Sequence, residues 1–205
     1  MNGILRGYIR WTDALNYRIG RVAMYLIFAL VGVLLWSIMS RILSFNIEGY
    51  RPANWTLETA QFVMVAYYIL GGPYSIQLGS NVRMDLFYGG WTVKQKAWMD
   101  FFTVFFLFFY LGVLLQGAVS SLSYSLGYYK LDGQWGFLGQ IIWGFLTGGP
   151  SGAGEIIGRL EVSATAWKPV LWPIKLTLAL GITLMIIQTL SEFFKDILRI
   201  KGEDI

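Results

Sequence analysis

Few side chains in this 205-residue sequence could do chemistry, and their positions say more than their number. Glu58 stands at the mouth of a long apolar run, with Arg51 and Trp55 just before it. An ionisable residue in such a run can serve an ion or proton path. It can equally pair with a nearby cation, or place negative charge at the positive end of a helix dipole; a structural ion pair or helix-terminal charge is the favoured reading. Arg83 and Asp85 follow the same run and are close enough to share a local network, but one Arg and one Asp make no active site. Histidine and cysteine are absent. That excludes disulfides, Cys or His zinc sites, iron–sulfur clusters, imidazole haem ligation and the commonest general base. The glycine-rich stretch 148–155 (GGPSGAGE) lacks the Lys and Ser/Thr spacing of a phosphate loop and has no preceding strand. The sequence reads as a non-enzyme with no catalytic residues, no substrate-binding or metal site, no cofactor and no nucleic-acid partner.

The elements around these residues are membrane helices. Apolar residues make up 56% and charged residues 14%, against roughly 45–50% and about 25% in soluble domains. Val22–Ser40, Thr59–Val82 and Phe101–Tyr129 carry no charge, and neither does Leu176–Ser191. A helix needs about 20 apolar residues to cross a bilayer. The last run reaches that length if it extends back to Val170 and Lys175 snorkels to the interface. A soluble bundle does not fit, because the longer runs offer no polar face to water. The expected fold is an all-α integral membrane protein forming a single membrane domain over 1–205. It has four transmembrane helices, at about 22–45, 57–79, 101–126 and 170–191. The first is read as a retained helix rather than a signal peptide, since no cleavage site follows it.

Ten Lys and Arg residues fall on the side of the termini and the 2–3 connection, against five on the other. Both termini are therefore expected in the cytoplasm. Trp55, Trp167 and Trp172 would lie at the outer interface, and Trp91 and Trp98 at the inner one. Residues 4–21 show an amphipathic period that places Tyr8, Trp11 and Leu15 on one face and Arg6, Arg10 and Asp13 opposite, with Arg18 adding to the basic character. This predicts an N-terminal amphipathic interfacial helix resting on membrane lipids. Helix 2 carries a seam of Glu58, Gln61, Val65, Tyr68, Gly72, Ser75 and Gly79, which suits close packing and hydrogen bonding between helices. Helix 4 repeats it with Thr177, Gly181, Gln188 and Ser191. Pro73 should kink helix 2 or open its hydrogen-bond ladder. Residues 127–166 form a long glycine-rich and aromatic connection. In it, 134–147 is too short to span and predicts an interfacial or re-entrant helix, with 148–155 as a flexible turn.

Three motifs in this order resemble the small permease subunit (Q-type) of the tripartite ATP-independent periplasmic, or TRAP, transporters. They are Trp55-x-x-Glu58, then Gly79-x-Asn81-Val82-Arg83-Met84-Asp85-Leu86, then Ser163-Ala-Thr-Ala-Trp167-Lys-Pro-Val-Leu-Trp-Pro173. Many relatives have His where Asn81 stands, and the 127–160 insertion is longer than the family pattern. The resemblance implies a bacterial or archaeal inner-membrane scaffold for a large permease subunit that carries sodium and substrate. A periplasmic binding protein would deliver an organic acid. Trp55, Glu58, Gln61, Gly72, Ser75, Gly79, Asn81, Arg83, Asp85 and Trp167 then become candidates for structure and subunit contact. Two other classes stay open: a self-sufficient small transporter or channel using Glu58, and a membrane anchor of a redox enzyme.

Overall fold

The computed structural model describes residues 2–79, 90–128 and 133–200. Its described residues form the helices α1 (Asn2–Asn46), α2 (Thr56–Gln77), α3 (Val93–Ser125), α4 (Gln134–Ile156) and α5 (Trp172–Ile200). Strands are absent among them apart from one antiparallel bridge, Val162 to Val170. The all-helical class agrees with the charge-free runs.

Three stretches are long and apolar enough to cross a membrane: Leu5–Asn46, Trp98–Ser125 and Trp172–Ile200. The fourth expected span, α2, falls short on apolarity. Its 22 residues include Glu58, Gln61, paired tyrosines, paired glycines and Pro73, each of which dilutes the apolar stretch. The helix nevertheless continues past Pro73 to Gln77, with the proline ring buried.

The expected interfacial arm over 4–21 is not an element of its own. Residues 2–46 form one uninterrupted helix of 45 residues. No proline lies within it, and its glycines only weakly disfavour helix. Gly20 allows close packing rather than a break: a side chain there would collide with the ring of Tyr74.

The chain divides into two compact units. The first comprises Met1–Tyr25, Tyr67–Leu114 and Leu180–Ile205. Ile9, Ala23, Val104, Leu111, Ile182 and Leu198 are buried in it. An aromatic ladder joins α3 to α5, with Phe101 stacked on Phe193 at 5.2 Å and Phe105 edge-on to the same ring. The start of α3 is fixed by a capping box. Thr92 N–H donates to Gln95 Oε1 at 2.9 Å, and Gln95 N–H donates back to Thr92 Oγ1 at 3.4 Å.

The second unit comprises Leu26–Ala66 and Leu115–Ala179. Its core is built from small and medium residues: Ala60, Ala118, Val119, Leu122, Leu126, Ala153 and Ala179. Gly127, at φ +85°, lets the end of α3 meet Gly158 backbone to backbone, where a Cβ would stand 2.7 Å from the Gly158 Cα. α4 is broken once, at Gly149 (φ 63°, ψ −153°). The stretch 148–155 is thus helical on both sides of a single break, not a flexible turn, because only Gly149 leaves helical geometry.

Large apolar side chains cover the outside. Only 6% of the most apolar window of α1 is buried, and Phe28, Phe106 and Phe109 are each more than 70% exposed. A protein soluble in water rarely shows so continuous an apolar surface. The chain is a multi-pass membrane protein.

Candidate functional site

The first unit is organised around a partly buried polar hub. Asp13 on α1 is its centre. Asp13 Oδ1 accepts from Gln188 Nε2 at 3.0 Å and from Ser191 Oγ at 3.3 Å, both on α5. Its Oδ2 pairs with Lys195 Nζ at 2.8 Å, and Lys195 also reaches Glu192 at 2.7 Å. One turn along α1, Asn16 Nδ2 donates to Gln188 Oε1 at 2.7 Å. Gln77 at the end of α2 donates to the Asp13 carbonyl at 3.3 Å, and Tyr8 Oη donates to the Ile187 carbonyl at 3.1 Å. Local sequence permits this because Gln188, Ser191, Glu192 and Lys195 recur at helical spacing and so share one face of α5. Three acceptors beside the hub, Thr12 Oγ1, Asn16 Oδ1 and Gln77 Oε1, are buried without a partner.

A cavity of about 600 Å³ in the same unit is lined by Gln77, Asp100, Glu192, Asp196 and Arg199, among others. Arg199 holds Asp196 at 2.9 Å. Among the described residues no cluster of acidic side chains has the arrangement of a metal site.

In the second unit, hydroxyls sew the start of α2 to α1. Ser40 Oγ accepts from the Ala53 N–H at 2.7 Å, and Thr56 Oγ1 donates to Ser37 Oγ at 3.1 Å. These bonds set the position of Trp55 and Glu58. Glu58 lies in the first turn of α2, where helix N–H groups favour negative charge. It is 5% exposed and its Oε2 has no hydrogen-bond partner. The expected ion pair is not formed among the described residues. Lys175 behaves otherwise than expected too. Instead of snorkelling, it forms an ion pair with Glu161, donates to the Ser121 carbonyl at 3.3 Å and sits over the Tyr124 ring. That clamps the 157–171 connection onto the end of α3, helped by backbone bonds from Gly158 to Leu126 and from Glu161 to Ser125.

The remaining candidates separate by exposure. Trp55, Gln61 and Trp167 are exposed, as is Gly79 at φ +62°. Ser75 is partly covered, and Gly72 faces Met185 so closely that a side chain would collide with it. The α2 seam is therefore mixed: Glu58 and Gly72 turn inward, while Gln61 and Tyr68 remain open. On α1, Arg10, Trp11 and Arg18 are exposed, whereas Arg6, Tyr8 and Leu15 are partly covered. Asn81, Arg83 and Asp85 lie outside the described residues. Sequence reasoning missed Asp13 and Lys195. The polar spacing on α5 was visible, but nothing local tied it to Asp13.

Such an arrangement can fix helices against each other. Among the described residues it pairs no nucleophile with a base. A family model described as "Tripartite ATP-independent periplasmic transporters, DctQ component" matches residues 30–151. That match takes in α2, α3 and most of α4, including much of the stretch that stood apart from the resemblance. Neither the curated proteins nor the solved structures contain a match.

Proposed function

The chain belongs to the DctQ family of tripartite ATP-independent periplasmic transporters and is a small membrane subunit rather than an enzyme, and on that premise we propose that it is the stationary scaffold of its transporter. In this reading it anchors a large permease subunit in a bacterial or archaeal inner membrane, with both termini cytoplasmic and α2 as a fourth crossing. The partner carries the sodium and substrate sites, so this chain needs no cofactor. A periplasmic binding protein delivers the substrate, an organic acid.

The observation that carries this reading is the contrast between surface and interior. The most apolar window of α1 is almost entirely uncovered, while most of the polar groups inside the first unit bond one helix to another. Trp55, Gln61 and Trp167 are available for subunit contact, and Glu58, Gly72 and Ser75 shape the helix that presents them. Arg10, Trp11 and Arg18 are available to lipid headgroups, with Arg6, Tyr8 and Leu15 supporting them.

The test is purification of the tagged chain in mild detergent, with mass spectrometry of what accompanies it. A large polytopic partner near equal stoichiometry is expected. One observation favours a second reading, a self-sufficient transporter: the buried, unpartnered Oε2 of Glu58. A homogeneous homo-oligomer whose transport stops in Glu58→Gln would establish that reading instead.

A further inference from the structure

α4 is attached to α3 at an unexpected level. Gln134 Nε2 donates to Ser120 Oγ at 2.9 Å, and Gln116 Nε2 donates to Gln134 Oε1 at 3.2 Å. Trp135 Nε1 donates to Gln116 Oε1 at 2.7 Å. Both polar ends of the Gln116 amide are thus occupied by α4. Gln116 lies nine residues before Ser125, the last residue of that span, which is about 13 Å along a helix. The Trp98–Ser125 span is about 42 Å long against a hydrocarbon core of about 30 Å. With the overhang shared between its ends, Gln116 still lies about 7 Å inside the hydrocarbon. The Gln134 carbonyl accepts from Ser123 Oγ at 3.5 Å, so the backbone of α4 starts beside the end of α3, and its first side chains reach to membrane depth at Gln116.

The side chains of α4 suit that depth. Residues 133–154 contain no charge. Trp135, Ile142, Trp143, Phe145 and Leu146 are all exposed and fall within an arc of roughly 160° at about 100° per residue. Gln140 lies outside this arc. The hydroxyls near the break are satisfied by their own helix: Thr147 Oγ1 donates to the Trp143 carbonyl and Ser151 Oγ to the Gly148 carbonyl, both at 2.8 Å. Beyond Gly149 the chain folds back so closely that a Cβ on Gly144 would stand 2.8 Å from the Gly152 carbonyl oxygen. No layer of water fits between backbones at that distance. The exposed arc carries no charged side chain; its polar atoms are the two indole N–H groups, and that of Trp135 is already bonded to Gln116.

We propose that α4 is a lipid-embedded hairpin whose Trp135, Ile142, Trp143, Phe145 and Leu146 face lies in the hydrocarbon of the leaflet at the Ser125 end of α3. The inference rests on the chain spanning the membrane, and not on its role in transport. The occupant is lipid, because the side chains that open the element reach membrane depth and its first arm, 134–148, carries no charge; Glu155, the one charged residue of α4, lies beyond the Gly149 break.

The native sequence has no cysteine, so single labels are easily placed. Full-length Ile142→Cys and Leu146→Cys carry a nitroxide in vesicles of phosphatidylethanolamine and phosphatidylglycerol. Collision rates are then measured with oxygen and with a water-soluble nickel chelate. Leu35→Cys on α1 is the hydrocarbon reference and Glu48→Cys the water reference. Frequent oxygen collisions at 142 and 146, with near-complete loss of nickel collisions as at Leu35→Cys, are expected. Nickel collisions at the Glu48→Cys level would place the hairpin in water and overturn the proposal. Loss of both kinds of collision would mean a protein cover, and would overturn it as well. A water signal at Leu35→Cys itself would overturn the spanning reading together with the hairpin.

Discussion

The two units handle buried charge in opposite ways. In the first, α1, α2 and α5 converge on one hub, where Asp13 has three partners and Lys195 bridges two carboxylates. In the second, one clamp, Lys175 with Glu161, serves a connection, and Glu58 keeps an oxygen unpaired. The hub joins segments distant in sequence and specifies which helices meet. The clamp joins residues 14 apart and shapes a local turn. Buried ion pairs add little net stability compared with apolar packing, but losing one partner of such a pair is costly. The hub therefore serves chiefly to specify the partners of α1.

The largest effect should come from breaking the hub on one side. Lys195→Met leaves two partly covered carboxylates, Asp13 and Glu192, without their shared cation and should cost about 2–3 kcal/mol. Thermal unfolding in detergent would show it as a sharp drop in midpoint. Pairing it with Asp13→Leu should recover much of the loss, since the stranded carboxylate at the centre is gone; no recovery would mean that the hub stabilises by more than charge pairing.

Lys175→Met should cost less, about 1–2 kcal/mol, because one carboxylate rather than two loses its cation. Proteolysis within 157–171 should rise more than global unfolding does. An equal loss of global stability in the two lysine variants would break the contrast between hub and clamp.

The smallest effect is expected from Gln116→Leu, about 1 kcal/mol for interhelical amide bonds in a membrane. It should free the start of α4 while leaving the hub untouched, and the mobility of a nitroxide at residue 142 would report it.

Much of the helix pattern was legible because charge-free runs announce themselves. The cores of α1, α3 and α5 coincide with runs read directly from sequence. Their ends were not, because charge excludes a residue from lipid but not from a helix. α3 starts at Val93, where the T-x-x-Q of Thr92–Gln95 forms its capping box. α5 runs to Ile200 on charges spaced three and four apart. The arm at 4–21 runs on into the helix that follows it for a related reason. Its apolar stripe was real, yet the face buried against neighbours is Ile9, Thr12, Asn16, Gly20 and Ala23, two of them polar. A wheel ranks residues by hydropathy, and hydropathy cannot show that Asn16 and Asp13 will meet Gln188 and Lys195 on a helix near the other end of the chain. Glu58 was read at a helix start, where the structure has it, but its burial with Oε2 unpaired depends on where Arg51 turns, which no periodicity encodes.

The hub also has a consequence in time. Ser191 and Asp13 are 178 residues apart. At roughly 5–20 residues per second, synthesis leaves α1 waiting about ten to forty seconds for the helix that completes its pairing. Until α5 emerges, Asp13 has none of its α5 donors. The hub can close only once α5 has emerged, so α1 passes that interval with its polar face unmatched.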